Sequence, residues 1–199
     1  MSNPLDDERT QFFLRHRDDI LAWASIEKEV TAATREMLGS LLPGIEERIR
    51  AMDGTAEASR HDGGRQYERI LVRRPGWPVG VGVTLEWESG VDPFGGSRPK
   101  YGIFFVNADP ALLTARQAIA AAGKASSAVR AAGYKPGDSY WPIVRFVPKS
   151  PTWWQDPDAW LVPIADAMVG LWPLAAPLID EGLAEHRTRR PLPTAGPMW

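Results

Sequence analysis

The chain has no cysteine and only three histidines in 199 residues. Disulfides, a thiol nucleophile and thiolate metal sites are therefore excluded. His16, His61 and His186 lie in separate segments with no His-x-x-x-His spacing, so no zinc site is expected. Basic excess is also missing: the formal net charge is −2 and the pI about 6.0, which argues against a general nucleic-acid binder but leaves local basic faces open. No run approaches eighteen apolar residues without charges, and Met1–Arg9 is acidic and polar where a signal peptide would be apolar; no membrane span is expected and a cytoplasmic location is. No Gly-x-Ser-x-Gly elbow, Ser/His/Asp set, Gly-x-Gly-x-x-Gly before a helix or Gly-Lys-Ser/Thr loop is found, so the usual acyl-transfer, dinucleotide and phosphate-loop signatures are absent.

Apolar side chains, by contrast, make up 44% of the sequence against 24% charged, enough for a sizeable core. The clearest pattern is Val79–Trp87. Val79, Val81, Val83, Leu85 and Trp87 alternate with Gly80, Gly82, Thr84, Glu86 and Glu88, the period of a strand with one buried and one wetter face. It predicts the central strand of a small antiparallel sheet. Gln66–Arg73 and Tyr101–Asn107 predict strands on either side in a meander, and Tyr140–Pro148 a fourth at a sheet edge, because prolines interrupt its ladder.

Helices are predicted outside this core. Residues 5 to about 52 carry a stripe of Phe13, Ile20, Trp23, Ile26, Val30, Ala33, Met37 and Leu41. Pro43-Gly44 should break that run, and whether a further bend falls near Trp23 is open on periodicity alone. Asp53–Gln66 reads as a loop. Asp109-Pro110 reads as an N-cap with proline in the first turn, opening a helix over 112–132 that Gly133 ends. Residues 156–185 read as a last helix, bent or interrupted at Pro163, Pro173 and Pro177, with 186–199 as a flexible tail. The expectation is a single α+β domain over 1–185: a four-stranded, mostly antiparallel sheet with long N- and C-terminal helices packed on it.

Two groups of residues could carry function. Glu86 and Glu88, two apart on one strand, share a face. They suit either a pair of oxygen ligands for Mg²⁺ or Mn²⁺ or a solvated face paired with Arg69 or Arg73 of the neighbouring strand. Trp141, Trp153, Trp154 and Trp160, beside Tyr140, Arg145, Phe146 and Lys149, belong to a chain with nine tryptophans. They form either a surface that stacks on bases or anchors a protein partner, or aromatic core that staples the last loop to the sheet. The short basic Arg187-Thr188-Arg189-Arg190 stretch reads as solvated.

The order helix–strand–strand–strand–helix–strand over residues 45–148, with Glu86 or Glu88 ending the second strand, resembles the core of the PD-(D/E)XK nuclease superfamily. The resemblance implies a divalent-metal site, with Glu86, Glu88 and Asp92 as acids, Glu46 or Glu47 in support and Lys100 as the water-orienting cation. The third strand, Tyr-Gly-Ile-Phe-Phe-Val-Asn, departs from that pattern: it holds neither the acid nor the lysine, and Lys100 precedes it. The leading expectation is accordingly a non-catalytic interaction or regulatory protein, an accessory component of a bacterial nucleic-acid-processing or defence system. It would use Trp141, Arg145, Trp153, Trp154 and Trp160 for a protein partner, a second copy or nucleic acid, without a cofactor. The alternative is a divergent Mg²⁺- or Mn²⁺-dependent nuclease.

Overall fold

A computed structural model describes residues 7–62, 66–88, 98–105, 112–138, 140–150, 153 and 155–189. The element order is α1 (Glu8–Arg15), α2 (Arg17–Gly39), α3 (Leu42–Met52), β1 (Glu57–Asp62), β2 (Tyr67–Arg73), β3 (Val81–Glu88), β4 (Lys100–Phe105), α4 (Leu113–Ala125), α5 (Ser127–Ala131), β5 (Ile143–Phe146) and α6 (Pro157–Arg189). The strands form one antiparallel sheet in the order β1-β2-β3-β4-β5.

The α+β class and the meander around β3 agree with the sequence, but the sheet has five strands where four were expected. The extra one, β1, falls within the stretch read as a loop. Its residues Glu-Ala-Ser-Arg-His-Asp alternate without a large apolar side chain, and as an edge strand it packs little more than Ala58 towards the helices. The central strand also starts later than its pattern suggested. Gly80 has φ +82°, a left-handed conformation suited to glycine, and Val81 N–H donates to the Pro78 carbonyl at 3.1 Å. Val79 is thus at a turn and 90% exposed.

One face of the sheet is covered by α3, α4 and α6. Ile70 and Val72, Val83 and Leu85, Tyr101 and Ile103, and Ile143 stand in register on this face and meet Ile164, Met168, Leu171, Ala175 and Ile179 of α6 in one apolar core. Burying so many aliphatic groups, at roughly 25 cal/mol per Å² of apolar area, is the main force holding the layers together. The β2–β3 hairpin is tied to α6 by polar groups as well. Trp77 Nε1 donates to Asp180 at 2.7 Å, and its ring lies 5.5 Å from that of Trp172. Arg74 bridges Asp53 and Asp180. Burial pushes the Asp53 carboxyl up, but hydrogen bonds from Thr55 and Arg74 outweigh it and hold the group below the usual carboxylate range.

The expected interruptions of the last helix do not occur. Pro163, Pro173 and Pro177 all sit inside α6 on its exposed side, where water can take the carbonyls that each proline leaves without a donor. The helix continues to Arg189, four residues into the segment expected as a tail; residues 190–199 lie outside the described residues. By length and composition Pro157–His186 could cross a membrane, contrary to the expectation of no such segment, yet its buried stripe against the sheet is that of a core helix. The predicted 112–132 helix is two pieces, α4 and α5, separated at Ser126, whose hydroxyl caps Val129 N–H. The Asp109 cap lies outside the described residues.

The N-terminal helices depart most from expectation. Breaks fall at His16 and at Ser40–Leu41, and Pro43 lies in the first turn of α3, where its missing N–H costs nothing. Only the C-terminal end of α2 packs on the fold, through Thr34, Leu38 and Gly39. There Glu68 of β2 accepts from Arg35 and Arg60. Arg60 also reaches Glu36, holding that carboxyl below its ordinary range by hydrogen bonding and charge.

Candidate functional site

The sheet face away from the helices is built of different residues. Arg69, Glu86 and Lys100 are direct neighbours across β2, β3 and β4, and strand alternation turns all three outward from the helix layer. Arg69 Nη2 lies 2.8 Å from Glu86 Oε2, and Lys100 Nζ lies 3.2 Å from Glu86 Oε1. The Glu86 side chain is only 5% exposed, against 11% for Arg69 and 25% for Lys100. Aromatic rings enclose the group: the Arg69 guanidinium lies 4.7 Å from the Phe104 ring centroid, and Lys100 Nζ 4.9 Å from that of Trp141. Cations over ring faces are stabilised by the ring quadrupole, more so when shielded from water. Thr84, beside Glu86 on the same face, is fully buried, and its hydroxyl has no hydrogen-bond partner.

Of the metal set implied by the PD-(D/E)XK resemblance, Glu86, Glu88 and Lys100 come together on this face. Both Glu86 oxygens are engaged by cations, the second of which, Arg69, is the partner anticipated for a non-catalytic face. Glu88 joins Glu86 and Lys100 in lining a smaller cleft of about 280 Å³, with Tyr67, Arg98 and Phe146. Glu46 accepts from Arg50 at 2.6 Å on α3, which packs in the helix layer on the other side of the sheet, and Glu47 belongs to the same helix. Asp92 lies outside the described residues. Among the described residues no three His, Asp or Glu side chains are grouped to hold a metal ion. Mg²⁺ or Mn²⁺ at Glu86 would have to displace an ion pair.

The tryptophans also separate. Trp153 and Trp160 pack on each other at 5.8 Å and are 5% and 7% exposed; they are core, not surface. Trp154 lies outside the described residues. Trp141 is 2% exposed, its ring 4.6 Å from Phe104, so it forms a wall and not an open stacking platform. Among the described residues, the aromatic side chains available at this edge are Phe146 and Tyr140, 49% and 43% exposed.

Trp141 and Arg145 do share one place, an open cleft of about 530 Å³ along β5. Arg98 and Lys100 enter from β4 and the residues before it, Lys135 and Gly137 from the segment after α5, and Trp141, Arg145 and Phe146 from β5 and its approach. The backbone fixes this grouping. Lys135 and Val144 exchange N–H to carbonyl bonds of 2.9 and 2.8 Å, and Lys100 pairs with Phe146 in register. Arg145 donates to the Ala132 carbonyl at 2.8 Å, and Arg98 lies over the Phe146 ring at 5.2 Å. Among the described residues Asp138 is the one acid in the lining, and its carboxylate accepts from the N–H groups of Tyr140 and Trp141 at 2.8 and 3.1 Å. The cleft thus gathers guanidinium and ammonium groups beside an exposed phenyl ring. Such a set can hold a phosphate or carboxylate and lie against a flat ring. Sequence reasoning missed Arg98 and Lys135, which stand alone in loop segments and meet Arg145 only through strand pairing.

No family model, curated protein or solved structure matches the chain.

Proposed function

We propose that the protein is a non-catalytic binding protein whose β5 cleft takes a nucleotide unit, phosphate against the cations and base against Phe146. The observation that carries this reading is the convergence of Arg98, Lys135 and Arg145, with the Glu86-paired Lys100 beside them, on one cleft whose one acid among the described residues is the internally engaged Asp138, in a chain whose net charge is −2. Spending scarce local positive charge on one concave place favours an anionic ligand there. The volume is in the range of small-ligand sites, roughly 300–1,000 Å³. A cationic groove with an exposed aromatic ring is the pairing used to bind single strands without sequence readout.

The nucleotide could arrive free or as part of a single strand, and titration separates the two. Fluorescence anisotropy with labelled oligo-dT and oligo-rA, competed with mononucleotides, is expected to show binding that weakens with salt. Arg98→Ala with Lys135→Ala should reduce affinity roughly tenfold or more and flatten the salt dependence, each phosphate contact removed lowering the slope by about 0.7–1. Displacement by mononucleotide at comparable concentration assigns the free ligand; displacement only by oligomer assigns the strand. Binding that is absent, or unchanged in the double variant, overturns the proposal. Strand cleavage in Mg²⁺ or Mn²⁺ that disappears with Glu86→Gln would move the chain to the nuclease reading.

A further inference from the structure

The β5 cleft does not end at Phe146. Arg98, Lys100 and Phe146 line it on one side and, on the other, line the smaller cleft of about 280 Å³ where they meet Tyr67, Glu86 and Glu88. Among the described residues three acids line the joined clefts, and they differ. Glu86 is held by Arg69 and Lys100, and Asp138 accepts from two backbone N–H groups. Glu88 ends β3 half-buried, and no described residue donates to its carboxylate. Arg98 shares its cleft, but that guanidinium lies over the Phe146 ring and is not paired with Glu88. A carboxylate that has lost part of its water without gaining a donor is completed by a ligand that brings one. We infer that Glu88 reads the base of the bound nucleotide and selects guanine.

The inference rests on the nucleotide reading of the β5 cleft and adds a base preference to it. Glu88 and that cleft stand two strands apart, since β4 separates β3 from β5, roughly 10 Å at the spacing of paired strands. A nucleotide with its phosphate on Lys135 and Arg145 and its base along Phe146 reaches across that span edge first. Guanine carries N1–H and its 2-amino group side by side on that edge, two donors spaced as the two oxygens of a carboxylate are. Adenine and cytosine carry one amino donor beside a ring-nitrogen acceptor, and uracil and thymine one N–H between two carbonyls. Each of these sets an acceptor against a carboxylate oxygen. Arg98 lines both clefts and so offsets the repulsion between Glu88 and the phosphate. The cations and the ring hold any nucleotide; Glu88 tells the bases apart.

Competition against labelled oligo-dT tests this, with the 5′-monophosphates of guanosine, inosine, adenosine and cytidine, and with oligo-dT carrying one of those bases. Guanine is expected to bind roughly tenfold tighter than adenine or cytosine, the discrimination of a good bidentate contact. Inosine, which lacks the 2-amino group, should fall between them. Glu88→Gln keeps the shape of the side chain but sets an amide N–H against one guanine donor, and should bring guanine down to the level of adenine and cytosine. Those two should change little, and their retained binding shows that the variant is folded. Equal affinity for the bases in the parent, or a guanine preference that survives in Glu88→Gln, overturns the inference and leaves the nucleotide cleft standing. A loss of all bases alike in Glu88→Gln also overturns it, since the carboxylate would then support the site without reading the base. Absence of nucleotide binding in the parent overturns both.

Discussion

Leu85 and Glu86 are consecutive residues of β3, both almost wholly buried, and they face opposite sides of the same sheet. On the Leu85 side α3, α4 and α6 close an apolar layer that needs no directional partner beyond good packing. On the Glu86 side a carboxylate is held between Arg69 and Lys100 under Phe104 and Trp141. The two sides show different ways of tolerating burial. Apolar area gains by leaving water in almost any well-packed arrangement, whereas a charge gains only if its partners leave with it. The first side therefore makes the fold, and the second holds Lys100 at the rim of the β5 cleft.

The largest effects should come from breaking the charged side. Glu86→Ala strands two cations at a mostly buried position and should cost about 3–5 kcal/mol, as much as the about 2.5–5 kcal/mol expected of Leu85→Ala through its cavity. The two losses differ in remedy. Arg69→Met, Glu86→Leu and Lys100→Met together should return stability to within about 1–2 kcal/mol of the parent, since apolar groups of similar volume replace buried ion pairs well. The same triple variant should bind the cleft ligand less tightly. Urea unfolding of the four proteins tests this, and a triple variant no more stable than Glu86→Ala would mean that specific hydrogen bonds, not compensated charge, hold that face.

On the helix side the sensitive quantity is space. Gly182 and Gly170 both lie in α6, but a Cβ at Gly182 would sit 2.6 Å from an Ile119 side-chain carbon and 3.1 Å from the Ala115 carbonyl oxygen, while at Gly170 it would meet nothing within 4 Å. Alanine gains about 1 kcal/mol over glycine in a helix interior. Gly170→Ala should therefore stabilise by up to that amount. Gly182→Ala should destabilise by about 1–2 kcal/mol net, because overpacking between α4 and α6 costs about 1–3 kcal/mol. Thermal melting of the pair decides it; two substitutions of the same sign would show that α4 can shift to make room.

What could be read from the sequence follows the same division. The alternation of Val81, Val83, Leu85 and Trp87 with Thr84 and Glu86 announces both faces of β3, and the pairing of Glu86 with Arg69 follows from placing β2 beside it. β1 is not legible, because an edge strand paired on one side needs few apolar residues and Ala58 alone gives no period. Nor is the cleft. Arg98, Lys135 and Arg145 are far apart in the chain and converge only through the pairing of β4 with β5 and the Lys135–Val144 bridge. Trp153 misleads for a related reason: a tryptophan in a Pro-rich loop carries no local mark of whether the loop folds inward, and Trp160, in the first turn of α6, is buried against it.

A smaller effect distinguishes the faces by pH. Tyr101 and Tyr134 meet edge-to-face at 5.8 Å in the helix-side core. Burial raises both phenols above the ordinary tyrosine value, outweighing the nearby Arg145, which acts the other way. These phenols are buried neutral, so their contribution is intact below about pH 10, where an unfolded tyrosine begins to ionise. It falls as the pH rises from there until the folded phenols themselves ionise, by at most about 1.4 kcal/mol per pH unit for each group. Tyr134→Phe should change stability little at pH 7, since its one hydrogen bond, to the Ala167 carbonyl, is long at 3.4 Å. The variant should lose part of the alkaline decline. Urea midpoints at pH 7 and pH 11 measure this directly: an equal alkaline loss in parent and variant would place the sensitivity with other groups, Tyr101 first among them.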